Sequence, residues 1–288
     1  MNWIRNMNDA LNYIEENIEN SITLDEIAKE ALSSKFHFLR MFHAICGITL
    51  SEYIRQRRLS VAAKDVMSSN MKIIDIAYKY GYETPEAFSK AFKNLHGISP
   101  SIARKTKVKL KAIPPLSFQI TVKGEEKMDY KIVHKNAFKI VGLSKNVSKK
   151  NNENFSVIPK FWDEICKLNI CEKMIKSASN PALMGTCLNF NEEEETFDYM
   201  IAIEGDKIQG VEDYKVVEVP ECDWAIFECV GKMPESIQSV WHRIFAEWFP
   251  ATKYEHACAP EIEYYPQNDS NKNDENYRCE IWIPIIKK

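Results

Sequence analysis

Two different periods run along the chain. Over the first hundred residues apolar positions recur every three or four residues, which predicts helices; from Tyr130 onward they alternate with polar ones in short runs, which predicts strands. Met7, Ala10, Leu11, Ile14 and Ile18 form the first helical stripe. Thr23 with Glu26 makes a capping box that starts a short helix, Leu24 to Ala31. Leu32-Ser33 is a turn, Ser34 caps a helix from Lys35 to Ile45, and Gly47 ends it. Ser51 to Met67 reads as one long helix and Lys72 to Tyr80 as a short one. Gly81-Tyr82-Glu83 is the next turn, and Thr84 caps a helix that has Pro85 at its first position.

Part of this order occurs twice. Phe42-His43-Ala44-Ile45-Cys46-Gly47-Ile48-Thr49-Leu50-Ser51 returns as Phe92-Lys93-Asn94-Leu95-His96-Gly97-Ile98-Ser99-Pro100-Ser101, and each copy follows a short helix with an Ile-Ala pair, Ile27-Ala28 and Ile76-Ala77. Two helix-turn-helix units joined by one long helix are predicted. In the first copy Phe38, Met41, Phe42 and Ile45 fall on the core side, leaving Phe36, His37 and Arg40 to look outward. In the second, Phe88, Ala91, Phe92 and Leu95 face inward, and Glu86, Ala87, Ser89, Lys90 and Lys93 outward. A helix that reads DNA needs this split between an anchoring stripe and a polar face for base edges and phosphates.

The second half predicts strands at Tyr130–His134, Phe138–Ser144, Leu183–Phe190, Phe197–Glu204, Tyr214–Pro220, Trp224–Gly231, Glu261–Tyr265 and Tyr277–Pro284, with helices at Ile158–Asn169 and Glu235–Phe249. The order strand-strand-helix-strand-strand occurs twice: Ile158, Trp162 and Ile165 align with Ile237, Trp241 and Ile244, and Met200–Ile203 aligns with Glu280–Ile283. The fold class is therefore multidomain. An all-α double helix-turn-helix domain (1–111) precedes a linker (112–128) with a short strand at Ser117–Val122, then a duplicated β-β-α-β-β domain of the α+β class (129–288). A cleft between the two halves of such a unit is a natural small-molecule site.

Charge follows the same boundary. Residues 1–111 carry 17 Lys/Arg against 12 Asp/Glu, and residues 112–288 carry 21 against 29. The overall charge of −3 thus hides a basic half suited to phosphate and an acidic half that is not. Arg55, Arg57 and Arg58, and Arg104, Lys105, Lys107, Lys109 and Lys111, are the basic clusters. None of the eight cysteines forms a CxxC pair and the six histidines do not gather with cysteines or acids at ligand spacing, so no metal and no cofactor is expected. No phosphate-binding glycine loop, nucleophile elbow or HExxH motif is present. The chain reads as cytoplasmic, with reduced thiols and neither signal peptide nor membrane span. The acid run Glu192–Glu195 and the polar stretch Gln267–Asn276 read as solvated loops.

Ser34-Lys35-Phe36-His37-Phe38-Leu39-Arg40-Met41-Phe42, and Gly81-Tyr82 followed by Phe88, Phe92-Lys93, Gly97, Ser99-Pro100 and Arg104, resemble the DNA-binding domain of the AraC/XylS family of transcription regulators over about residues 5–107. The resemblance implies two recognition helices in successive major grooves of double-stranded DNA, about 34 Å apart. It puts Phe36, His37 and Arg40 at contact positions of the first helix and Glu86, Ala87 and Lys90 at those of the second. Pro85, Glu86 and Ala87 stand where long polar side chains are common in the family, so the second helix is expected to grip phosphate through Lys90 and Lys93. Trp224–Gly231, Pro260–Pro266 and Cys279–Pro284 are similar to strands of GyrI-like effector-binding domains; the two halves together resemble Rob-like regulators. That resemblance implies a small-molecule effector, cationic or amphipathic, held by a carboxylate among aromatic side chains. It also implies RNA polymerase as a partner.

Alternation puts Glu280 and Trp282 on one strand face. An inward acid is costly unless something pairs it, and a ligand cation would do so with help from aromatic faces. Trp162, Trp241, Trp224, Tyr199, Tyr264 and Phe138 are the wall candidates. If Glu280 faces solvent or bridges to a Lys or Arg, Glu263 is the substitute acid. Two competing readings exist: a hydrolase in which Glu280 works with Tyr199 or Tyr264, and a protein-interaction domain with a collapsed cleft. Oligomeric state stays open, since two readers in one chain can grip an asymmetric site as a monomer.

Overall fold

The computed structural model describes residues 3–106, 108–119, 128–150, 153–191, 194–267 and 272–287. The chain divides into two compact units, Met1–Lys123 and Gly124–Lys288. The first contains α1 (Trp3–Glu16), α2 (Leu24–Glu30), α3 (Lys35–Cys46), α4 (Leu50–Ser68), α5 (Ile73–Lys79), α6 (Pro85–His96) and α7 (Pro100–Thr106). Its local rules are those of the sequence. Thr23 and Glu26 close the capping box, and the Ser34, Thr49 and Thr84 side chains cap α3, α4 and α6. Gly47 and Gly97 end α3 and α6 at φ 69° and 80°, a left-handed conformation that lets their N–H groups reach back to the His43 and Lys93 carbonyls.

The helices pack round two cores. Leu11, Ile14, Ile27, Phe38, Phe42 and Tyr53 form one, and Leu59, Val66, Ile76, Tyr80, Phe88 and Phe92 the other. Each large side chain so buried contributes about 1.5–3 kcal/mol. Helix α4 serves both, since Tyr53 and Val66 lie about 20 Å apart at 1.5 Å per residue. Its arginines hold the frame. Arg57 is buried against Glu15 of α1 (Nε–O 2.8 Å) and also donates to the Ile113 carbonyl; Arg58 donates to the Ile18 and Asn20 carbonyls just beyond α1. Arg55 pairs with Glu52, and Arg104 donates to Val66 O (2.9 Å) at the end of α4. Arg57, Arg58 and Arg104, three of the 17 basic residues of this half, are therefore structural.

The segment expected to be a linker behaves differently in its first part. Residues 108–119 have no regular structure but are tied to the helices: Ile113 N–H donates to Ser60 Oγ (2.9 Å), Leu116 N–H to Tyr53 Oη (3.1 Å), and Asn8 bonds both backbone groups of Phe118. Residues 117–119 form no strand; Ile120–Val122, the rest of the predicted strand, lie outside the described residues, as do Lys107 and Gly124–Lys127.

The second unit contains strands β1 (Tyr130–Lys135), β2 (Phe138–Ser148), β3 (Ala182–Asn191), β4 (Thr196–Glu204), β5 (Lys215–Val219), β6 (Cys222–Val230), β7 (Tyr254–His256), β8 (Glu261–Pro266) and β9 (Arg278–Lys287). Helices α8 (Asn154–Lys167) and α9 (Ile170–Ser177) follow β2; α10 (Glu235–Arg243) follows β6 and runs through a π-turn at Ile244–Trp248 into α11 (Phe249–Ala251). The short α9 and β7 were not expected. Pro250, lacking an N–H, interrupts the α-helical bonding near that turn.

The strand order, β1-β6-β9-β8-β3-β4-β2-β5 with β7 beside β9, is a palindrome. Exchanging β1 with β5, β2 with β6, β3 with β8 and β4 with β9 reverses it, which is the pseudo-twofold that the duplicated pattern implies. The central pair is β3–β8, and there Gly185 lies opposite Glu263. The sheet curls strongly. Phe138 on β2 and Trp224 on β6 have four strands between them, a span of about 24 Å if flat, yet their rings are 6.4 Å apart. The inner face closes on Ile140, Met184, Met200, Trp224, Ile262 and Trp282. Helices cover the outer face: α8 and α9 pack over Tyr199, Ile201 and Ile203, and Trp248 meets Phe227 at 5.0 Å.

Candidate functional site

The first unit presents two helices in equivalent settings. On α6, Glu86, Ala87, Lys90, Lys93 and Asn94 form one exposed stripe, opposite the buried Phe88 and Phe92. Lys90 and Lys93 make no ion pair among the described residues. On α3 the matching face is less open: Phe36 and Arg40 are half-buried, and His37 is only 6% exposed. The expectation that His37 looks outward is corrected. It lies one turn before Met41, 40° away around the helix, and Met41 is buried. Leu39 is buried and Ile45 half-buried, the reverse of a strict core stripe. The turns before the two helices also differ. Gly81 takes φ 77° in the second, whereas Leu32 takes φ 49° in the first with its side chain exposed.

In the second unit the acid at the centre is Glu263. Trp241 Nε1 donates to its Oε1 (2.9 Å); Tyr199 and Tyr265 hydroxyls donate to its Oε2 (2.9 and 3.0 Å). Trp162 Nε1 donates to the Tyr199 hydroxyl (2.9 Å) and its ring meets Tyr265 edge-on at 5.4 Å. The tryptophans aligned in sequence, Trp162 of α8 and Trp241 of α10, thus reach the same carboxylate from the two halves, one through a tyrosine and one directly. Gly185 leaves the room: a Cβ there would collide with the Tyr199 hydroxyl and lie 2.8 Å from Glu263 Oε2.

Burial pushes the Glu263 carboxyl above the ordinary carboxylate range, against the pull of its three donors. Burial and the neighbouring carboxylate likewise hold the Tyr199 and Tyr265 hydroxyls well above the usual phenol range, so they remain donors. Glu263, Trp162, Trp241 and Tyr265 are nevertheless only half-buried. An acid crowded by rings but partly open is suited to a cation, since a fixed positive charge would replace the proton that burial favours.

The expected ligand set is split by the sheet. Tyr199, Trp162 and Trp241 join the carboxylate. Glu280, Trp282, Trp224, Tyr264 and Phe138 do not, and their assignment to one pocket with them is corrected. Glu263 pairs in register with Ile281 and Tyr264 with Glu280, so alternation sends Glu263 to the outer face and Glu280 to the inner. Glu280 bridges to Lys131 (3.0 Å) and accepts from Trp282 Nε1 (2.7 Å). Trp282 stacks on Tyr264 at 4.8 Å, with the Lys135 ammonium 4.3 Å from its ring centroid. Tyr265 was missed, although its two-residue spacing from Glu263 was the available signal. Among the described residues no cluster of His, Cys, Asp or Glu suits a metal ion, and no helix is long and apolar enough to cross a membrane. Residues 192–193 of the acid run and 268–271 of the polar loop lie outside the described residues.

A palindromic sheet with one acid on its axis can be compared with known domains. The model of the GyrI-like small molecule binding domain matches residues 128–286, more than half of the chain. The chain belongs to the GyrI-like family. A helix-turn-helix domain model matches residues 27–106 of the same chain. The HTH-type transcriptional activator AarP of Providencia stuartii is 43% identical over 98 residues, 34% of this chain and 73% of that protein. The right origin-binding protein of Escherichia coli K12 is 25% identical over an alignment covering 96% of each chain, and the transcriptional regulator Rob of Salmonella typhimurium is 24% identical with the same coverage. The long alignments span both units. This GyrI-like protein is a DNA-binding transcription regulator of the AraC type, with a small-molecule effector domain as its second half.

Proposed function

We propose that the effector is a lipophilic cation or a cationic amphiphile and that it is read by Glu263. The observation carrying this is the Glu263 carboxylate, raised in pKa by burial and by the nearby buried Glu261, half-open, and ringed by Tyr199, Trp162, Trp241 and Tyr265. The cation would pair the carboxylate, and the aromatic faces would add about 0.5–2 kcal/mol per cation–π contact. On the DNA side, Phe36 and Arg40 of α3 and Glu86, Ala87, Lys90 and Lys93 of α6 meet the duplex, with the two lysines on phosphate. His37, being buried, supports α3 from behind. AarP is described as an activator, which favours activation with RNA polymerase as partner in the cytoplasm. The domain senses and does not turn its ligand over. Both oxygens of the central acid already accept from protein donors, leaving it poorly placed to act as a general base. The test combines both halves. Mobility shift on an operator selected from random duplexes should show loss of specific retention in Arg40→Ala, and thermal shift with a lipophilic cation should show stabilisation that disappears in Glu263→Gln. At a hundred times the dissociation constant that stabilisation is about 2.7 kcal/mol. Retention unchanged in the first variant, or an equal shift in the second, refutes the corresponding half.

A further inference from the structure

Cys229 of β6 and Cys279 of β9 lie directly opposite each other in the sheet register. Their side chains therefore leave the sheet on the same face, and both are free thiols, 0% and 1% exposed. That face is the outer one. Cys279 is two residues from Ile281, which pairs with Glu263. The palindrome gives a second measure of position. Met200–Ile203 corresponds to Glu280–Ile283, so Cys279 is the counterpart of Tyr199, the residue that donates to Glu263 from the other half. Cys187 faces Tyr199 on β3, and by the same symmetry Tyr265 faces Cys279. The register thus sets the two thiols side by side, with Glu263 and Tyr265 on the same face.

We propose that Cys229 and Cys279 form a dithiol site for a neutral trivalent arsenical, entered from the half-open side of the Glu263 pocket. Geometry and charge both choose this ligand class. Directly opposed residues hold their Cβ atoms about 4.5–5.5 Å apart, whereas a disulfide draws them to about 3.8 Å. A bridging atom bonded to both sulfurs needs no such approach. A soft metal cation would require two thiolates, which burial opposes. An arsenoxide requires none: R–As=O reacts with two thiols to form two As–S bonds, and the As=O oxygen leaves as water carrying both thiol protons. No electron is exchanged and no net charge is left in the buried site. The aryl group of an aromatic arsenical would lie against Tyr265 and the rings beyond it.

The proposal does not depend on the cation reading. The experiment uses the full-length reduced protein and phenylarsine oxide, followed by denaturation, alkylation with iodoacetamide and peptide mapping. Cys166 and Cys171, a second thiol pair at the α8–α9 junction with Cys166 exposed, are replaced in a Cys166→Ser/Cys171→Ser background so that they do not compete. Expected is the joint loss of alkylation at Cys229 and Cys279, with one arsenical bridging the two peptides. Glu263→Gln should keep this adduct and Cys279→Ser should abolish it. Undiminished alkylation of both cysteines in the wild type, with protection only at Cys166 and Cys171, overturns the site without requiring any variant to fold. Protection of one cysteine of the pair alone also overturns it.

Discussion

Replacing Glu263 with glutamine removes one charge from the pocket and almost no volume. In the wild type the carboxylate accepts at 2.9–3.0 Å from Trp241, Tyr199 and Tyr265, and burial holds its pKa above the ordinary value. The sign of the stability effect follows. A carboxyl whose folded pKa lies above its unfolded one binds more protons in the folded state, so its contribution weakens the fold as pH rises through that interval. Glu263→Gln should lose this pH dependence, so its melting temperature should gain on that of wild type as pH rises from acid to neutral without ligand, offset at every pH by the donor that its amide NH2 leaves without an acceptor. With a permanent cation the wild type gains instead. Losing the charged partner of a buried pair costs about 2–4 kcal/mol, or roughly 30- to 1000-fold in affinity. Wild-type affinity should also fall by up to about tenfold per pH unit below the raised Glu263 pKa, because the ligand must displace a proton, and the variant should show no such slope. The assay is tryptophan fluorescence titration with benzyltriethylammonium and an uncharged carbon isostere across pH 5–8, with Trp241 as the reporter. The reasoning fails if the cation and its isostere lose affinity equally, or if the variant keeps the pH slope.

Four further outcomes are expected. Gly185→Ala should destabilise the second unit by about 1–3 kcal/mol in urea unfolding and weaken cation binding, since its Cβ enters the space of the Tyr199 hydroxyl and Glu263. Lys93→Ala should lower the slope of log affinity against log salt for any duplex by about one, whereas Arg40→Ala should act mainly on the preferred sequence; equal effects would deny the division of labour. Leu32→Asn should raise stability by up to about 1 kcal/mol, because Leu32 holds φ 49° while exposed, and a lower melting temperature would refute the strain argument. Arg57→Ala should cost about 2–3 kcal/mol, as it removes the cation paired with Glu15, which keeps only the Tyr53 hydroxyl, and one donor to the Ile113 carbonyl; an exposed-pair effect under 1 kcal/mol would show that residues 108–119 do not need it.

The helical half was legible because its signals are local. Caps at Thr23, Ser34 and Thr84 and left-handed glycines at 47 and 97 act within one turn of the residues that carry them. His37 was misread because two residues a turn apart on neighbouring stripes differ by only 40°, and periodicity alone does not say where the core ends. In the second half the duplication was visible in Trp162 and Trp241, and both reach the acid. Alternation correctly put Glu280 with Trp282, but it does not say which face of a sheet receives helices; that depends on the curl, a property of strands far apart in sequence. The docking of 112–119 onto α4 was invisible for a similar reason, since Ile113 and Leu116 are held through backbone groups that any residue would offer.

Gly185 faces Glu263 on the axis of the duplicated sheet, so the two halves differ at the one place where they meet. Two identical halves would have put either two glycines there, with nothing to attract a cation, or two carboxylates within contact, of which one would be forced to stay protonated. Only divergence between the copies at this single crossing point yields one acid with room for the Tyr199 hydroxyl beside it. On the proposed cation reading, a chain so built takes one guest, in one orientation, and the halves could not have remained interchangeable once that acid was in place.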